Sequence, residues 1–163
     1  RGAQPWDGAP VNRLIMALAT GLYVGRIPRA PGTWGSLAAF LPWLLIKDLQ
    51  LSSYLLLLLL IFVIGFFVCG SAEKILDSPD AGCIVIDEIL GMFITLTAAP
   101  DHPAAWLLGF ILFRIFDIAK PFPVSWFDRR IHGGIGIMMD DVMAGIYALV
   151  SLQLIWLLIG RFF

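Results

Sequence analysis

Apolar residues occur along this chain in long continuous runs separated by short polar stretches. The longest run, SYLLLLLLIFVIGFFVCGS at residues 53–71, contains no charged side chain. About 20 such residues cross a hydrocarbon core roughly 30 Å thick, so this run predicts a membrane-spanning helix. Further apolar helices are predicted to begin near Thr33, Ile84, Ala104 and Asp140.

Proline, glycine and charged residues mark the connections between these helices. The stretch PRAPG predicts that the first membrane helix starts no earlier than Gly32, with Thr33 and Ser36 supplying N-capping hydroxyl groups. The polar stretch EKILDSPDAG, residues 73–82, predicts a loop. Pro121 is expected to end the fourth membrane helix at or before the preceding residue, because proline lacks the N–H that a helix needs.

The remaining segments are less apolar. Residues 11–25 and 122–137 combine apolar or aromatic side chains with arginines and glycines, which is typical of helices lying on a membrane surface. The first ten residues, RGAQPWDGAP, are expected to be disordered or an expression-derived extension. Residues 1–163 are therefore predicted to form a single membrane-embedded domain. Its class is all-α, a polytopic membrane helical bundle with about four to five membrane helices plus interfacial helices.

Composition excludes an ordinary soluble domain and a nucleic-acid-binding protein. Hydrophobic residues make up 60% of the chain and charged residues only 14%, against roughly 45 to 50% and about 25% in soluble proteins. The formal net charge of -1 provides no basic surface for nucleic acid. Membrane lipid is the expected surrounding.

The predicted helices bring most of the charged residues to one side of the membrane. If they alternate in direction, the PGTWGS stretch, residues 87–88, residues 114–120 and residues 140–141 all reach the same face. Basic residues on that face outnumber those on the other, where only Lys47 and Arg161 fall, so the positive-inside rule makes it cytoplasmic. The basic residues of that face are Arg26, Arg29, Lys74, Arg114, Lys120, Arg129 and Arg130.

Charged groups in apolar segments cost roughly 2.5 to 3.5 kcal/mol each and need partners. Five carboxylates fall near the cytoplasmic helix ends, with only two cations, Arg114 and Lys120, in the same segments. A bound divalent metal ion would offset the excess negative charge, and an all-oxygen ligand set favours Mg²⁺ or Mn²⁺. The five carboxylates are Asp87, Glu88, Asp117, Asp140 and Asp141.

A phosphate site is predicted beside these carboxylates. Free N–H groups and hydroxyls at the start of the PGTWGS helix favour an anion, and Arg114 and Lys120 can bind its oxygens. Simpler explanations remain open: ordinary caps for PGTWGS, an ion-pair ladder or headgroup contacts for Arg114 and Lys120, and an acidic helix start for residues 140–141. The predicted phosphate-binding residues are Gly32, Thr33, Ser36, Arg114 and Lys120.

Three stretches of this sequence resemble the phosphatidylglycerophosphatase A family of bacterial inner-membrane lipid phosphatases. They are RIPRAPGTWGSLAA, IVIDEILGMFITL and FRIFDIAKPFPVSWFDRRIHGGIGIMMDDVMAGIYA, and the likeness runs from about Gly25 to Ala148. The resemblance implies Mg²⁺-dependent hydrolysis of phosphatidylglycerophosphate to phosphatidylglycerol and inorganic phosphate. It further implies a multi-pass protein of the bacterial inner (cytoplasmic) membrane with an active site facing the cytoplasm.

Combining the resemblance with the residues gives a mechanistic hypothesis. Asp87, Glu88 and Asp141 hold Mg²⁺, which activates water for attack on phosphorus, and either Asp117 or Asp140 accepts the proton. Neither cysteine is followed by arginine in a Cys-x5-Arg motif, so no thiol nucleophile is expected.

A cation or proton carrier is the main alternative function, because intramembrane carboxylates also form ion paths. A carrier needs them near the bilayer midplane, whereas here they crowd one edge. An enzyme related to the CDP-alcohol phosphotransferases lacks support, because the ordered aspartates of that family are absent from this sequence.

Overall fold

The computed structural model describes residues 9–79, 81–122 and 133–162. Residues 160–162 are described by their backbone only. The described residues form helices and no strand, which confirms the all-α class. The predicted surface segment at residues 122–137 lies mostly outside this part, as do Arg129, Arg130 and residues 1–8. The helices are α1 (Pro10–Ala19), α2 (Pro31–Ala38), α3 (Phe40–Ile46), α4 (Leu51–Leu76), α5 (Ile86–Thr95), α6 (Pro103–Ala119) and α7 (Gly134–Phe162), with a 3₁₀ turn at Val24–Arg26.

Two helices, α4 and α7, are long and apolar enough to cross a membrane. With 26 and 29 residues they extend roughly 40 Å, more than the hydrocarbon core requires. They indicate a membrane protein. The helices α5 and α6 are shorter, with 10 and 17 residues, so the number of four to five membrane helices stays a prediction.

The first predicted membrane helix is divided into α2 and α3 at Ala39. Pro42 explains the division, because it has no N–H to donate to the carbonyl group of Ala38, four residues earlier. The helix begins at Pro31, one residue before the predicted start, because proline is well suited to the first helical position. The predicted N-capping by Thr33 and Ser36 is wrong: the N-cap residue is Ala30, and no side chain caps the helix.

Two helices extend beyond their predicted ends on the side where the charged residues gather. Glu73 and Lys74, predicted in a loop, lie in the last turns of α4, which ends with Asp77 in the left-handed region at φ 48°. The helix α7 begins at Gly134, six residues before the predicted start at Asp140. Asp140 and Asp141 are therefore its seventh and eighth residues, about two turns from its start, rather than its first residues.

The helix α7 is the centre of the packing, since α4, α5 and α6 all contact it. The helices α5 and α7 approach each other closely, since a Cβ atom added to Gly145 would lie 2.6 Å from the carbonyl oxygen of Gly91. Phe113 of α6 covers Gly91 from the other side and is fully buried. This contact lies about one turn beyond Asp87 in α5 and about one turn beyond Asp141 in α7.

We predict that Gly145→Ala destabilises the bundle by about 1 to 3 kcal/mol, because a methyl group there forces α5 away from α7. Thermal unfolding in detergent micelles measures the loss. Gly70→Ala is the matched control, since its added Cβ would meet only Gly134 at 3.7 Å, an ordinary contact. Equal melting temperatures for the two variants would contradict the packing described above.

Candidate active site

Asp87 and Glu88 lie in the first turn of α5, a position that suits both carboxylates. The N–H groups of the first helical turn have no partner within the helix, and the helix dipole favours negative charge there. The preceding segment is fixed by backbone contact, because the Val85 N–H donates to the carbonyl oxygen of Ala19 at 2.8 Å. Gly25 packs directly on the backbone of Cys83.

Asp141 from α7 approaches this pair. One carboxylate oxygen from each of Asp87, Glu88 and Asp141 lies within 4.8 Å of the others. Asp87 is 9% exposed and Asp141 4% exposed. Among the described residues, Oδ1 of Asp87 and Oε2 of Glu88 are buried without a hydrogen-bond partner. Buried, converging and partly unbonded carboxylate oxygens fit a divalent cation with oxygen ligands, such as Mg²⁺.

The two remaining predicted carboxylates are each paired with a cation. Arg114 Nη1 lies 2.6 Å from Asp117 Oδ2, three residues along α6. Lys120 Nζ donates to Asp140 Oδ2 at 2.6 Å, which joins the end of α6 to α7. Lys120 follows the last residue of α6 with φ 41°, because Pro121 disfavours a helical conformation in the residue before it. The five predicted carboxylates thus form one cluster of three and two ion pairs.

The five carboxylates and Lys120 surround a cavity of about 350 Å³. Six of the ten predicted site residues line it: Asp87, Glu88, Asp117, Lys120, Asp140 and Asp141. Glu73 also lines it, although the sequence prediction placed that residue in a loop. The signal that could have placed Glu73 is the apolar period of α4, since the buried residues Val68, Cys69 and Ala72 continue helically into Ile75 and Leu76.

The predicted residues of α2 lie behind this cavity. Gly32 packs so closely on the Glu88 carboxylate that a side chain at position 32 would collide with it. Ser36 is fully buried, donates to the carbonyl oxygen of Gly32 at 2.8 Å and accepts from Arg114 Nη1 at 3.4 Å. In the described part of the chain, Gly32, Thr33, Ser36 and Arg114 are not among the cavity-lining residues. Outside the cavity, Gly32 therefore packs against Glu88, and Ser36 holds Arg114 by a hydrogen bond.

The cysteines do not provide a nucleophile for this cavity. Cys83 lies outside the membrane-spanning helices, and burial raises the pKa of its thiol, so the reactive thiolate is disfavoured. Cys69 is fully buried within α4, where its Sγ lies 3.8 Å from the sulfur of Met138. Neither cysteine lines the cavity as far as the structure describes it.

Comparison with known proteins agrees with the family resemblance seen in the sequence. The sequence profile described as "Phosphatidylglycerophosphatase A" matches residues 17–156. An Escherichia coli (strain K12) protein of that name is 46% identical over 130 residues, which cover 79% of this chain and 76% of the relative. A Haemophilus influenzae protein of the same name is 44% identical over 138 residues, covering 83% and 85%.

A third relative has a different name. The Bacteroides thetaiotaomicron protein is 36% identical over 154 residues, covering 90% of this chain and 96% of its own, and is provisionally named a phosphatidylinositol-3-phosphatase. No solved structure matches the chain.

We expect the Lys120–Asp140 ion pair to contribute to stability as well as to the site, because both side chains are largely shielded from water. A double-mutant cycle with Lys120→Met and Asp140→Asn should give a coupling energy of about 1 kcal/mol or more in unfolding experiments. The surface pair between Lys47 and Asp101, whose Asp101 side chain is 76% exposed, is the control and should give a smaller value. Equal coupling energies would contradict this account.

Proposed function

Because the chain belongs to the phosphatidylglycerophosphatase A family, we propose that it hydrolyses phosphatidylglycerophosphate to phosphatidylglycerol and inorganic phosphate. The family is one of phosphatases, and the chain is therefore an enzyme. The observation that carries the proposal is the buried carboxylate cluster of Asp87, Glu88 and Asp141 beside a cavity that also presents Lys120. This reaction is the last step of phosphatidylglycerol synthesis.

The proposed location is the bacterial inner membrane, with several membrane passes and the site at the cytoplasmic leaflet. In support, the end of α4 and the start of α7 lie together, since Gly134 packs on the backbone of residues 66–70. The site is at that end of the bundle. Arg114 and Lys120 accompany it, whereas Lys47 lies beyond the opposite end of α4. This distribution agrees with the positive-inside rule.

We assign the binding of Mg²⁺ to Asp87, Glu88 and Asp141. When bound, the ion would supply Lewis-acid chemistry, polarising the phosphate and lowering the pKa of a nearby water. Oδ1 of Asp87 and Oε2 of Glu88 support the assignment, because they are buried without a hydrogen-bond partner among the described residues and burying them uncompensated is costly. Close packing of α5 on α7 holds these ligands in place before any ion or substrate arrives.

The paired carboxylates suggest how the proton of the attacking water is removed. In the structure Lys120 neutralises Asp140, and Arg114 neutralises Asp117. An entering phosphate competes directly for Lys120, which lines the cavity, and its negative charge also attracts Arg114 from behind the cavity. Both cations are thereby drawn away from their carboxylates. Asp117 or Asp140 then becomes more basic, because a neighbouring positive charge no longer favours its ionised form. That carboxylate takes a proton as the water oxygen bonds to phosphorus, and it gives the proton to the glycerol oxygen as the bond between phosphorus and that oxygen breaks.

The alternative of a cation or proton carrier has less support. A carrier requires ionisable groups part-way along the membrane helices. Here Asp87 and Glu88 lie in the first turn of α5, Asp140 and Asp141 about two turns into α7, and Glu73 near the end of α4. This position near helix ends supports a surface site for a lipid headgroup over an ion path.

We predict that Asp87→Asn lowers phosphate release from phosphatidylglycerophosphate by about a hundredfold or more, because a charged ligand is lost from the cluster. The assay uses detergent micelles with and without Mg²⁺. Mn²⁺ binding, followed by electron paramagnetic resonance, should weaken in parallel. Asp101→Asn, at the opposite end of the bundle, is the matched control and should keep wild-type values. Undiminished turnover by the Asp87 variant, or full activity in excess chelator, would refute the assignment.

A second prediction distinguishes the two candidate bases. Turnover should fall at low pH, since a protonated carboxylate cannot accept the proton of water. Asn at the position of the base should abolish this acidic limb and lower kcat. Asn at the other position should mainly lower KM, because its freed cation can bind phosphate without giving up an ion pair. Profiles of kcat against pH for Asp117→Asn and Asp140→Asn measure the difference. If both variants keep the wild-type acidic limb, neither residue is the base.

A further inference from the structure

An open groove of about 680 Å³ lies beside the active-site cavity, between the last turns of α4 and the start of α7. At its floor the backbones of the two helices touch, because Gly134 packs directly on the carbonyl group of Phe66 and near the N–H of Gly70. Glu73, Pro79 and Gly133 line both the groove and the cavity. The groove is therefore an outward continuation of the active site.

The cavity alone cannot hold the proposed substrate. A volume of about 350 Å³ accommodates a small headgroup, but not a diacyl lipid. In phosphatidylglycerophosphate one glycerol unit separates the terminal phosphate from a second phosphate, the phosphodiester that leads to the acyl chains. With the terminal phosphate at the carboxylate cluster, the phosphodiester and the chains must leave through an opening. The groove that shares Glu73 and Gly133 with the cavity is such an opening.

The groove-lining side chains of α4 follow the order of groups in a phospholipid. Phe66, Phe67, Gly70, Ser71 and Lys74 fall on one stripe of the helix by their spacing, and all line the groove. The aromatic pair lies towards the middle of the membrane-spanning helix, and Phe67 is 64% exposed. Lys74 lies at the polar end, near the site. An acyl chain beside the phenylalanines therefore places a phosphodiester beside Lys74.

Charge supports the same orientation. No ion pair or hydrogen bond of the Lys74 side chain is found among the described residues, and it is exposed at the rim of the groove. The other cations near the site, Arg114 and Lys120, are already engaged with Asp117 and Asp140. Lys74 is thus a cation that can bind a second phosphate without giving up an ion pair.

We propose that this groove binds the linking phosphodiester and the first part of the acyl chains of the substrate, with Lys74 as the cation for the phosphodiester. The proposal rests on the proposed function and specifies how the lipid is held. Lys74 is here a specificity-determining residue for lipids that carry two phosphates. Lys74 does not contact the reacting phosphate.

The test compares Lys74→Ala, Lys74→Arg and the control Lys47→Ala in detergent micelles. Lys74→Ala should raise KM for phosphatidylglycerophosphate about tenfold, the effect of losing one charged hydrogen bond, with kcat little changed. The inhibition constant of phosphatidylglycerol, which has the phosphodiester alone, should rise by a similar factor. That of inorganic phosphate should not change. Lys74→Arg should restore both affected constants, and Lys47→Ala should alter none.

A steric variant tests the groove independently of charge. Gly70→Leu fills it without forcing the helices apart, since a Cβ atom at position 70 meets Gly134 at 3.7 Å. The variant should lower kcat/KM for the lipid severalfold and leave inhibition by inorganic phosphate unchanged.

The outcomes separate this proposal from the proposed function. The groove assignment would be overturned if Lys74→Ala kept the wild-type KM and inhibition constants. It would also be overturned if inhibition by inorganic phosphate weakened as much as inhibition by phosphatidylglycerol. Neither result would contradict the proposed phosphatase activity. If the wild-type chain releases no phosphate from phosphatidylglycerophosphate, the proposed function fails. Native mass spectrometry of phosphatidylglycerol binding then still tests the groove, because Lys74→Ala should bind about tenfold more weakly. Equal binding by both proteins would end the proposal.

Discussion

The close contact between α5 and α7 holds like charges together. Gly91 and Gly145 allow the two backbones to approach until a single added methyl group would collide. At the ends of these helices, that approach brings Asp87 and Glu88 to Asp141. Carboxylates in such a buried position repel one another and lose hydration, so tertiary packing must stabilise a site that is unfavourable by itself. The cost is offset by the helix start at Ile86 and, in our proposal, by a divalent cation.

The structure divides the charged residues of the site by role. Three carboxylates converge, while Asp117 and Asp140 are held by Arg114 and Lys120. An ion pair beside an active site does more than neutralise charge, because an anionic substrate can replace the carboxylate as the partner of the cation. In our proposal, the same exchange offers the substrate a binding site and creates a stronger base. The residues of α2 contribute from behind, with Gly32 against Glu88 and Ser36 against Arg114.

A lipid phosphatase must also connect a polar site with the membrane. Here α4 does so along one stripe, from exposed phenylalanines in its apolar part to Lys74 and Glu73 in its last turns. The extension of α4 beyond its apolar run is what places Glu73 in the cavity and Lys74 at the groove. In our proposal, the headgroup and the acyl chains therefore bind at adjoining positions along this one helix.

The sequence by itself determined the all-α class and the family resemblance, and it named the residues that we propose carry the chemistry. Charged side chains in apolar segments cost too much to be accidental, and their number made Asp87, Glu88 and Asp141 candidates for a metal site that stays a prediction. Helix ends were less certain: α4 continues through Glu73, α7 begins at Gly134, and α2 is capped by no side chain. Only the tertiary structure decided which carboxylates converge and which are paired, because spacing along one helix says nothing about distances between helices. It also showed that Ser36 accepts a hydrogen bond from Arg114, a pairing between residues far apart in the chain. The predicted role of Ser36 in phosphate binding stays a prediction.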